Sequence, residues 1–167
     1  IQTVYAPLFY DQAAQLILEA NRQGFKGIFL GSDSWHSGKL IQSLKQLESG
    51  EHYFTTAFST FDTNQNVQNF IKDYQKKYSS QPTSYAAQGF DAYQFVASSF
   101  AKSKSTLPKS LIKAFSITHT VEGIGGPFQM TKKREPAKSW VILKIDADGL
   151  KFKTRLRGKV PDDINNK

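Results

Sequence analysis

The sequence predicts an α/β fold, and three features of its first sixty residues predict it. Residues 3–6 and 27–31 are short, almost wholly apolar segments of strand length, and the second has the composition of a buried parallel strand. A helix-length segment separates them, so the two strands should be parallel and joined by a right-handed crossover. A third strand-like segment, 53–58, follows another helical stretch. Strands that alternate with helices in this way favour a sheet with parallel strands.

End signals define the first two helices. Asp11 is expected to cap the first helix at its amino terminus, and Gly24 to end it in a left-handed conformation. One side of that helix carries Ala14, Ile17, Leu18 and Asn21. A loop over 31–38 leads to a second helix, whose apolar positions are Ile41, Leu44 and Leu47.

Three further helices are predicted between residues 64 and 115. The first starts near Asn64, and its polar surface is crossed by a regular apolar stripe: Val67, Phe70, Ile71, Tyr74 and Tyr78. Pro82 helps to break that helix, and the next, over 84–102, is apolar on more than one side. A helix of that kind is usually buried between neighbouring elements. The third covers 107–115 and has Pro108 in its first turn, where proline is tolerated.

The last third of the chain predicts loops followed by a hairpin. Residues 123–128 are rich in glycine and are expected to form a turn-rich connection, and residues 132–136 a polar loop. Segments 140–145 and 150–156 should pair as antiparallel strands. The residues between them, Asp146-Ala147-Asp148-Gly149, suit a type I turn with glycine in the left-handed position.

Composition limits the classes of function. The chain has 167 residues, 39% of them hydrophobic, and no cysteine, which excludes disulfides, thiolate zinc sites and cysteine nucleophiles. No apolar segment approaches transmembrane length. The net charge is +8, but basic residues cluster only at 132–134 and in an alternating set, Lys151, Lys153, Arg155 and Arg157. We interpret both clusters as solvent-facing. Since Phe152 is the one aromatic residue among the second set, nucleic-acid binding is not expected.

No pattern of catalytic or metal-binding residues is recognisable in the sequence. His36, His52 and His119 have no short spacing to one another, whereas a metal site needs three or four convergent ligands. Serines flank His36, but no Gly-x-Ser-x-Gly elbow occurs. The glycines at 123–126 do not follow a strand and open a helix, as a phosphate-binding loop requires. We therefore expect no catalytic residue, no metal and no cofactor.

Four residues that follow the first two strands form the candidate site. Phe9 and Tyr10 follow the first strand, and Asp33 and Trp35 follow the second. Because the carboxyl ends of parallel strands meet at one edge of a sheet, where such folds bind ligands, we expect these residues to lie together. A carboxylate and an aromatic ring at that edge predict recognition of a small molecule, since a ligand charge removed from water must be paired.

Each of the four residues also has a purely structural interpretation. Asp33 could bond to backbone amides nearby, as aspartates in turns commonly do. Phe9 and Tyr10 could both be packing residues, although consecutive residues leaving a strand point in opposite directions, which favours one of them facing a ligand. Trp35 could line the mouth of a binding cleft or only shield the loop.

Five segments in a fixed order, followed by the closing hairpin, carry a resemblance to a known family. They are Tyr5-Ala6-Pro7-Leu8-Phe9-Tyr10-Asp11, Gly24 with Ile28-Phe29-Leu30-Gly31-Ser32-Asp33, Phe70-Ile71-Lys72-Asp73-Tyr74 with Tyr78 and Pro82, Tyr85-Ala86-Ala87-Gln88-Gly89-Phe90-Asp91-Ala92, and Gly123-Ile124-Gly125-Gly126-Pro127-Phe128. Together they resemble the carboxy-terminal half of the type I periplasmic solute-binding proteins of ABC importers, the group that binds leucine, isoleucine and valine. The likeness spans nearly the whole chain.

The resemblance implies a type I periplasmic-binding-protein-like fold: parts of two three-layer α/β lobes, joined by a hinge that the chain crosses three times, with the ligand between the lobes. Residues 1–57 and 140–167 would belong to lobe two, and residues 58–139 to lobe one. The amino-terminal half of the family fold is absent from this sequence. Because the chain also opens on Ile1 inside a strand-like segment, we expect it to be a piece of a longer protein.

The resemblance also implies site residues. By position, Phe9 matches the aromatic residue that packs against the bound amino acid, and Asp33 matches the acid that accepts its ammonium group. Some relatives have tyrosine and glutamate at these places, so a less polar or slightly different ligand is a hypothesis.

The function implied is that of a non-enzymatic binding protein in the periplasm, with a lipid anchor as one option for the full-length protein. It would deliver a branched-chain amino acid or related small solute to the membrane subunits of an ABC permease. The alternative is a ligand-sensing or scaffold domain of the same fold, since one fold serves several functions.

Overall fold

The computed structural model describes residues 2–47, 50–131 and 133–156. They form two compact units, one that runs up to Phe61 and resumes at Trp140–Leu156, and one that comprises Asp62–Ser139. The α/β class is confirmed. The assignment of residues 1–57 and 140–167 to lobe two and of 58–139 to lobe one stays a prediction, and its part at 157–167 lies outside the described residues, as do Lys132 and Arg157 of the basic clusters.

The first unit is built on one five-stranded sheet. In the order in which they lie, its strands are β1 (Thr3–Tyr5), β2 (Ile28–Gly31), β3 (His52–Thr56), β7 (Trp140–Asp146) and β8 (Gly149–Leu156). The first three run parallel, as predicted, with Val4 opposite Phe29. The other two are antiparallel and form the predicted hairpin, in which Gly149 has a φ of 112°.

Helices α1 (Tyr10–Arg22) and α2 (Gly38–Leu44) share a core with that sheet. Alternate residues of β3 and β7 are buried, which fixes the register of the sheet. The largest fully buried side chains of this core are Trp35, Phe54, Ile17, Leu40, Leu44, Leu143, Ile145 and Val141.

The expected cap of α1 is wrong. The helix begins at Tyr10, two residues earlier than a cap at Asp11 implies, so the cap position is occupied by Phe9, whose side chain makes no capping bond. Asp11 lies inside the first turn instead, where a carboxylate still interacts favourably with the helix dipole. The other end is as predicted, since Gly24 follows the helix with a φ of 85°.

The second unit contains α3 (Gln65–Tyr78), α4 (Ser84–Lys102) and α5 (Pro108–Ile117), with a sheet of β4 (Thr120–Gly123), β5 (Gly126–Met130) and β6 (Pro136–Ala137). The hydroxyl of Thr83 caps α4 by accepting from the amide of Ala86 at 3.2 Å, and the Asn64 side chain caps α3. Among the described residues, no helix is long and apolar enough to cross a membrane.

The small sheet of the second unit corrects the sequence prediction of a turn-rich connection there. Gly123 and Gly126 pair across a two-residue turn, so most of 123–128 belongs to strands rather than to a loop. Part of the predicted polar loop at 132–136 also pairs, because Met130 lies opposite Pro136. These strands were not predicted because the segment is rich in glycine, which usually weakens a strand.

Candidate functional site

The loops that follow β1 and β2 are bonded to each other at one edge of the first unit's sheet. The amide of Ala6 donates to the carbonyl of Leu30 at 2.8 Å. Farther along, the Ser34 hydroxyl donates to the carbonyl of Leu8 at 2.8 Å, and the Ser32 and Ser34 hydroxyls lie 2.9 Å apart. The bond from Ser34 holds Leu8, which precedes Phe9, against the turn that contains Asp33.

Phe9 is the exposed member of the aromatic pair. Phe9 immediately precedes α1, and 67% of the residue's surface is exposed to solvent. Its neighbour Tyr10 is half-buried and packs against the core of the first unit. The two residues thus differ in exposure, and an apolar ring is available at this rim. Strand alternation is not the reason, because β1 ends at Tyr5 and Tyr10 is the first residue of α1.

Asp33 begins a short 3-10 turn, Asp33–Trp35, and its side chain is half-buried. Its backbone carbonyl accepts from the amide of His36 at 3.0 Å. Within residues 2–47, 50–131 and 133–156, no group donates a hydrogen bond to its carboxylate. The structural interpretation of Asp33, in which nearby amides satisfy the side chain, is therefore not observed. A half-buried carboxylate with no donor from the described protein remains able to accept hydrogen bonds from a ligand.

Trp35 is a packing residue in this structure. None of its surface is exposed, and its ring occupies the space beside Gly31, where an added Cβ would come within 2.0 Å of the indole. A side chain with no exposed surface has none to offer a ligand in this conformation. Trp35 is therefore not retained in the candidate site, and its shielding role is the one that the structure favours.

His36 connects the turn to the end of β3. Its Nδ1 lies 3.3 Å from the hydroxyl of Thr56, and its ring centroid is 5.7 Å from that of Phe54. Burial lowers the pKa of His36 below its ordinary value, because the charged ring would lose hydration. The neutral ring of His36 therefore links the turn at Asp33–Trp35 to β3 through its contacts with Thr56 and Phe54.

Asp91 of the second unit has a structural role that the sequence did not reveal. Its buried carboxylate accepts from the amide of Ile124 at 2.7 Å and from the ammonium of Lys138 at 2.5 Å. The same ammonium lies 4.9 Å from the ring centroid of Phe128. The one acidic residue within an otherwise apolar helix was the available signal, since a buried charge must be paired.

A cavity of about 650 Å³ also lies in the second unit. Its walls come mainly from α5 and the flanking strands, and include Ile112, Phe115, Ser116, Thr118, His119 and Met130. Among the described residues, no group of three or more histidine or acidic side chains is placed to hold a metal ion. The cavity thus combines apolar side chains with hydroxyl groups, and Arg134 contributes a cationic side chain to its wall.

Comparisons with known proteins concern nearly the whole chain. The sequence profile of a family described as periplasmic binding protein matches residues 1–150. No curated protein matches the chain at a significant level.

Solved structures share the fold at low sequence identity. A leucine-binding protein from Thermotoga maritima superposes with a TM-score of 0.81 at 22% identity, covering 97% of this chain and 45% of that one. A branched-chain amino acid transporter substrate-binding protein from Streptococcus pneumoniae, in complex with isoleucine, gives 0.76 at 19% identity, with 93% and 44% covered. A solute-binding protein from R. palustris, in complex with benzoate, gives 0.73 at 17% identity, with 97% and 45% covered. The chain thus spans less than half the length of these relatives.

Proposed function

Since the chain belongs to the periplasmic binding protein family, we propose that it is part of an extracytoplasmic solute-binding protein that captures a branched-chain amino acid or a related small solute. The observation that carries the proposal is the Asp33 carboxylate, which receives no hydrogen bond from the described protein and lies in a turn bonded to the loop of Phe9. Two of the structural relatives named above are described by the amino acids they bind, leucine and isoleucine, and support this ligand class, while the third, in complex with benzoate, is the reason to keep other small solutes in the proposal.

The chemistry of the two side chains suits an apolar amino acid. An ammonium group that leaves water needs charged or strongly polar acceptors, and a carboxylate held by its backbone provides one. The exposed ring of Phe9 offers apolar surface for an aliphatic side chain at the same rim. The residues that would bind the ligand's own carboxylate belong, in this proposal, to the part of the protein that is outside these 167 residues.

The proposal extends to the whole protein. Residues 1–57 and 140–167 are assigned to lobe two and residues 58–139 to lobe one, and closure of the lobes would bury the ligand. The closed protein would deliver its solute to the membrane subunits of an ABC permease in the periplasm. It would catalyse no reaction.

Calorimetry on the intact protein tests the proposal. Leucine, isoleucine and valine are titrated, with 4-methylpentanoate as the matched control, because it has leucine's carbon skeleton and carboxylate but no ammonium group. We expect at least one amino acid to bind and 4-methylpentanoate to bind about 10- to 100-fold more weakly, the value of a charged hydrogen bond. A folded protein that binds none of these amino acids would contradict the proposal, as would equal affinity for leucine and its deaminated analogue.

A further inference from the structure

The cavity of about 650 Å³ in the second unit has several apolar side chains in its wall. Phe95 of α4, Phe115 of α5 and Met130 of β5 all line it. The rings of Phe95 and Phe115 are stacked, with their centroids 5.7 Å apart and an angle of 28° between their planes. Ile112 of α5 also lines the cavity and is 66% exposed, so it lies where the cavity opens to solvent. The volume falls within the range of small-molecule sites, about 300–1,000 Å³.

Hydrogen bonds fix the frame of this cavity. The amide of Met130 donates to the carbonyl of His119 at 2.8 Å, which joins β5 to the segment that follows α5. The hydroxyls of Ser116 and Thr118 donate to backbone carbonyls of α5 at 2.7 and 2.8 Å. Each hydroxyl has one proton, and both protons are used within the chain, so these two groups have none left for a ligand.

Arg134 supplies a positive charge to the wall. It lies in the turn after β5, where its backbone has a φ of 65° and its amide donates to the carbonyl of Thr131 at 2.9 Å. The Thr131 amide in turn donates to the carbonyl of Glu135 at 2.9 Å. These bonds hold the backbone that carries the guanidinium beside the cavity.

Within residues 2–47, 50–131 and 133–156, the guanidinium of Arg134 has no acidic partner. Glu135 follows it in the sequence but forms no ion pair with it, and none of the described residues that line the cavity is acidic. Lys109 lies on the stripe of α5 that contains Ile112 and Ser116, one turn earlier. The charge at the cavity is therefore positive.

This combination of an apolar wall and a free cation selects one class of ligand. A zwitterionic amino acid would bring an ammonium group for which the described wall has no carboxylate. An uncharged apolar molecule would gain nothing from the guanidinium. A carboxylate on an alkyl chain uses both features, because the guanidinium can hold the carboxylate through two parallel hydrogen bonds while the chain removes apolar surface from water.

We propose that this cavity is a binding site for a medium-chain fatty acid, with the carboxylate on Arg134 and the alkyl chain against Ile112 and the rings of Phe95 and Phe115. The site belongs to the second unit and shares no residue with the candidate site of the first unit. It does not depend on the proposed function.

Calorimetry on the intact protein tests the site with octanoate as the probe. The matched control ligand is 1-octanol, which has the same number of carbons and no charge. We expect octanoate to bind about 10- to 100-fold more tightly than 1-octanol, the value of a charged hydrogen bond. A folded protein that does not bind octanoate would overturn the proposal, as would equal affinity for the two ligands.

A pair of variants in one turn identifies the cation. Arg134→Gln removes the guanidinium, and Lys133→Gln is the matched control because Lys133 is exposed in the same turn and is not among the described residues of the wall. Arg134→Gln should weaken octanoate binding about 10- to 100-fold, while Lys133→Gln should bind as the unaltered protein does. Equal losses would indicate a general attraction of this basic turn for anions and would overturn the site, as would unchanged affinity in folded Arg134→Gln protein.

A second pair of variants tests the placement of the alkyl chain. Ile112 and Leu107 are both 66% exposed on α5 or at its start, but only Ile112 is among the described residues of the wall. Ile112→Ser should weaken octanoate binding several-fold because apolar contact is lost, whereas Leu107→Ser should leave it unchanged. Full affinity in folded Ile112→Ser protein would remove the chain from this cavity and overturn the proposal.

Crosslinking locates the bound fatty acid directly. A medium-chain fatty acid with a diazirine on its alkyl chain is photolysed with the intact protein, and the adducts are mapped by mass spectrometry. We expect adducts in peptides from residues 95–134. Adducts confined to peptides that contain Phe9 or Asp33, or to any other part of the protein, would assign the fatty acid to a different site and overturn the proposal. Amino acid binding should be the same in Arg134→Gln and unaltered protein, so the two proposals can fail separately.

Discussion

Asp33 lies between two serines whose hydroxyl groups hold the turn, so its own carboxylate is not needed to maintain the local fold. Ser34 bonds to the carbonyl of Leu8, and the His36 amide closes the turn through the Asp33 carbonyl. The backbone is therefore fixed by neighbours while the charge stays available. Such preorganisation limits the entropy that a site loses when a ligand binds.

The buried His52 makes the stability of the first unit dependent on pH. Its Nδ1 accepts from the amide of Phe29 at 3.4 Å, and its Nε2 has no partner among the described residues. Burial lowers the pKa of His52 from 6.5 to about 4. Between these values the unfolded chain binds a proton that the folded chain does not. The stabilisation is therefore complete above pH 6.5 and is lost as the pH falls toward 4.

We expect the free energy of unfolding of the intact protein to fall by up to about 3 kcal/mol over that interval on account of His52. Denaturant unfolding at a series of pH values measures it, with His52→Gln to remove this contribution and His119→Gln, at an exposed position, as the matched control. An unchanged pH dependence in His52→Gln would show that the buried ring is not the cause.

The element that presents Asp33 is the junction of β2 with the 3-10 turn, and it depends on a close contact between backbone and ring. Gly31 ends β2, and Trp35 packs where a side chain at Gly31 would project. The turn, which begins two residues after the strand ends, is thereby anchored to the core by Trp35. The position of Asp33 thus depends on the packing of the Trp35 ring against Gly31.

Gly31→Ala tests this coupling, with Gly38→Ala as the matched control because an added Cβ at Gly38 meets nothing within 4 Å. Overpacking at Gly31 should destabilise the protein by about 1–3 kcal/mol and weaken ligand binding as the turn shifts. At Gly38, the first residue of α2, alanine should be neutral or slightly stabilising. Thermal unfolding and calorimetry on both variants measure these effects, and equal behaviour of the two would refute the coupling.

In the second unit, α4 is connected to the small sheet by the ion pair between Asp91 and Lys138, whose side chains are 7% and 14% exposed. Asp91→Ala leaves the ammonium of Lys138 buried without its partner. We therefore expect the free energy of unfolding to fall by about 3–5 kcal/mol. Glu19→Gln breaks the exposed pair of Glu19 with Arg22 and should change little. Chemical unfolding of the two variants compares them. A loss at Asp91 no greater than that at Glu19 would mean that the pair does not stabilise the unit.

At the scale of the whole molecule, the sequence predicted those features that depend on local signals. The start of α4 was predicted because Pro82 breaks the preceding helix, and the parallel pairing of β1 and β2 because a helix separates them. The strands around Gly123 were not predicted, since their glycines resemble turn residues. The sequence left two roles open for Trp35, lining a cleft or shielding the loop, because its burial depends on a tertiary contact with Gly31 that sequence spacing does not encode.

The order of strands and helices had already predicted that Phe9, Tyr10, Asp33 and Trp35 lie at one edge of the sheet, and the family resemblance then singled out Phe9 and Asp33 as candidate ligand contacts. The sheet then brings their loops together through the bond from Ser34 to Leu8. The solved relatives are more than twice as long as this chain, which covers 45% or less of them, and the proposed function is that of a whole binding protein. The central claim therefore concerns the intact protein.

The affinity of intact Asp33→Asn protein for the best-binding amino acid tests that claim most directly. Asparagine keeps the size of the side chain and removes its charge, and Asp148→Asn, at an exposed hairpin turn of the same unit, is the matched control. The account predicts that Asp33→Asn weakens binding about 10- to 100-fold while Asp148→Asn binds as the unaltered protein does. Unchanged affinity in a folded Asp33→Asn protein would contradict it.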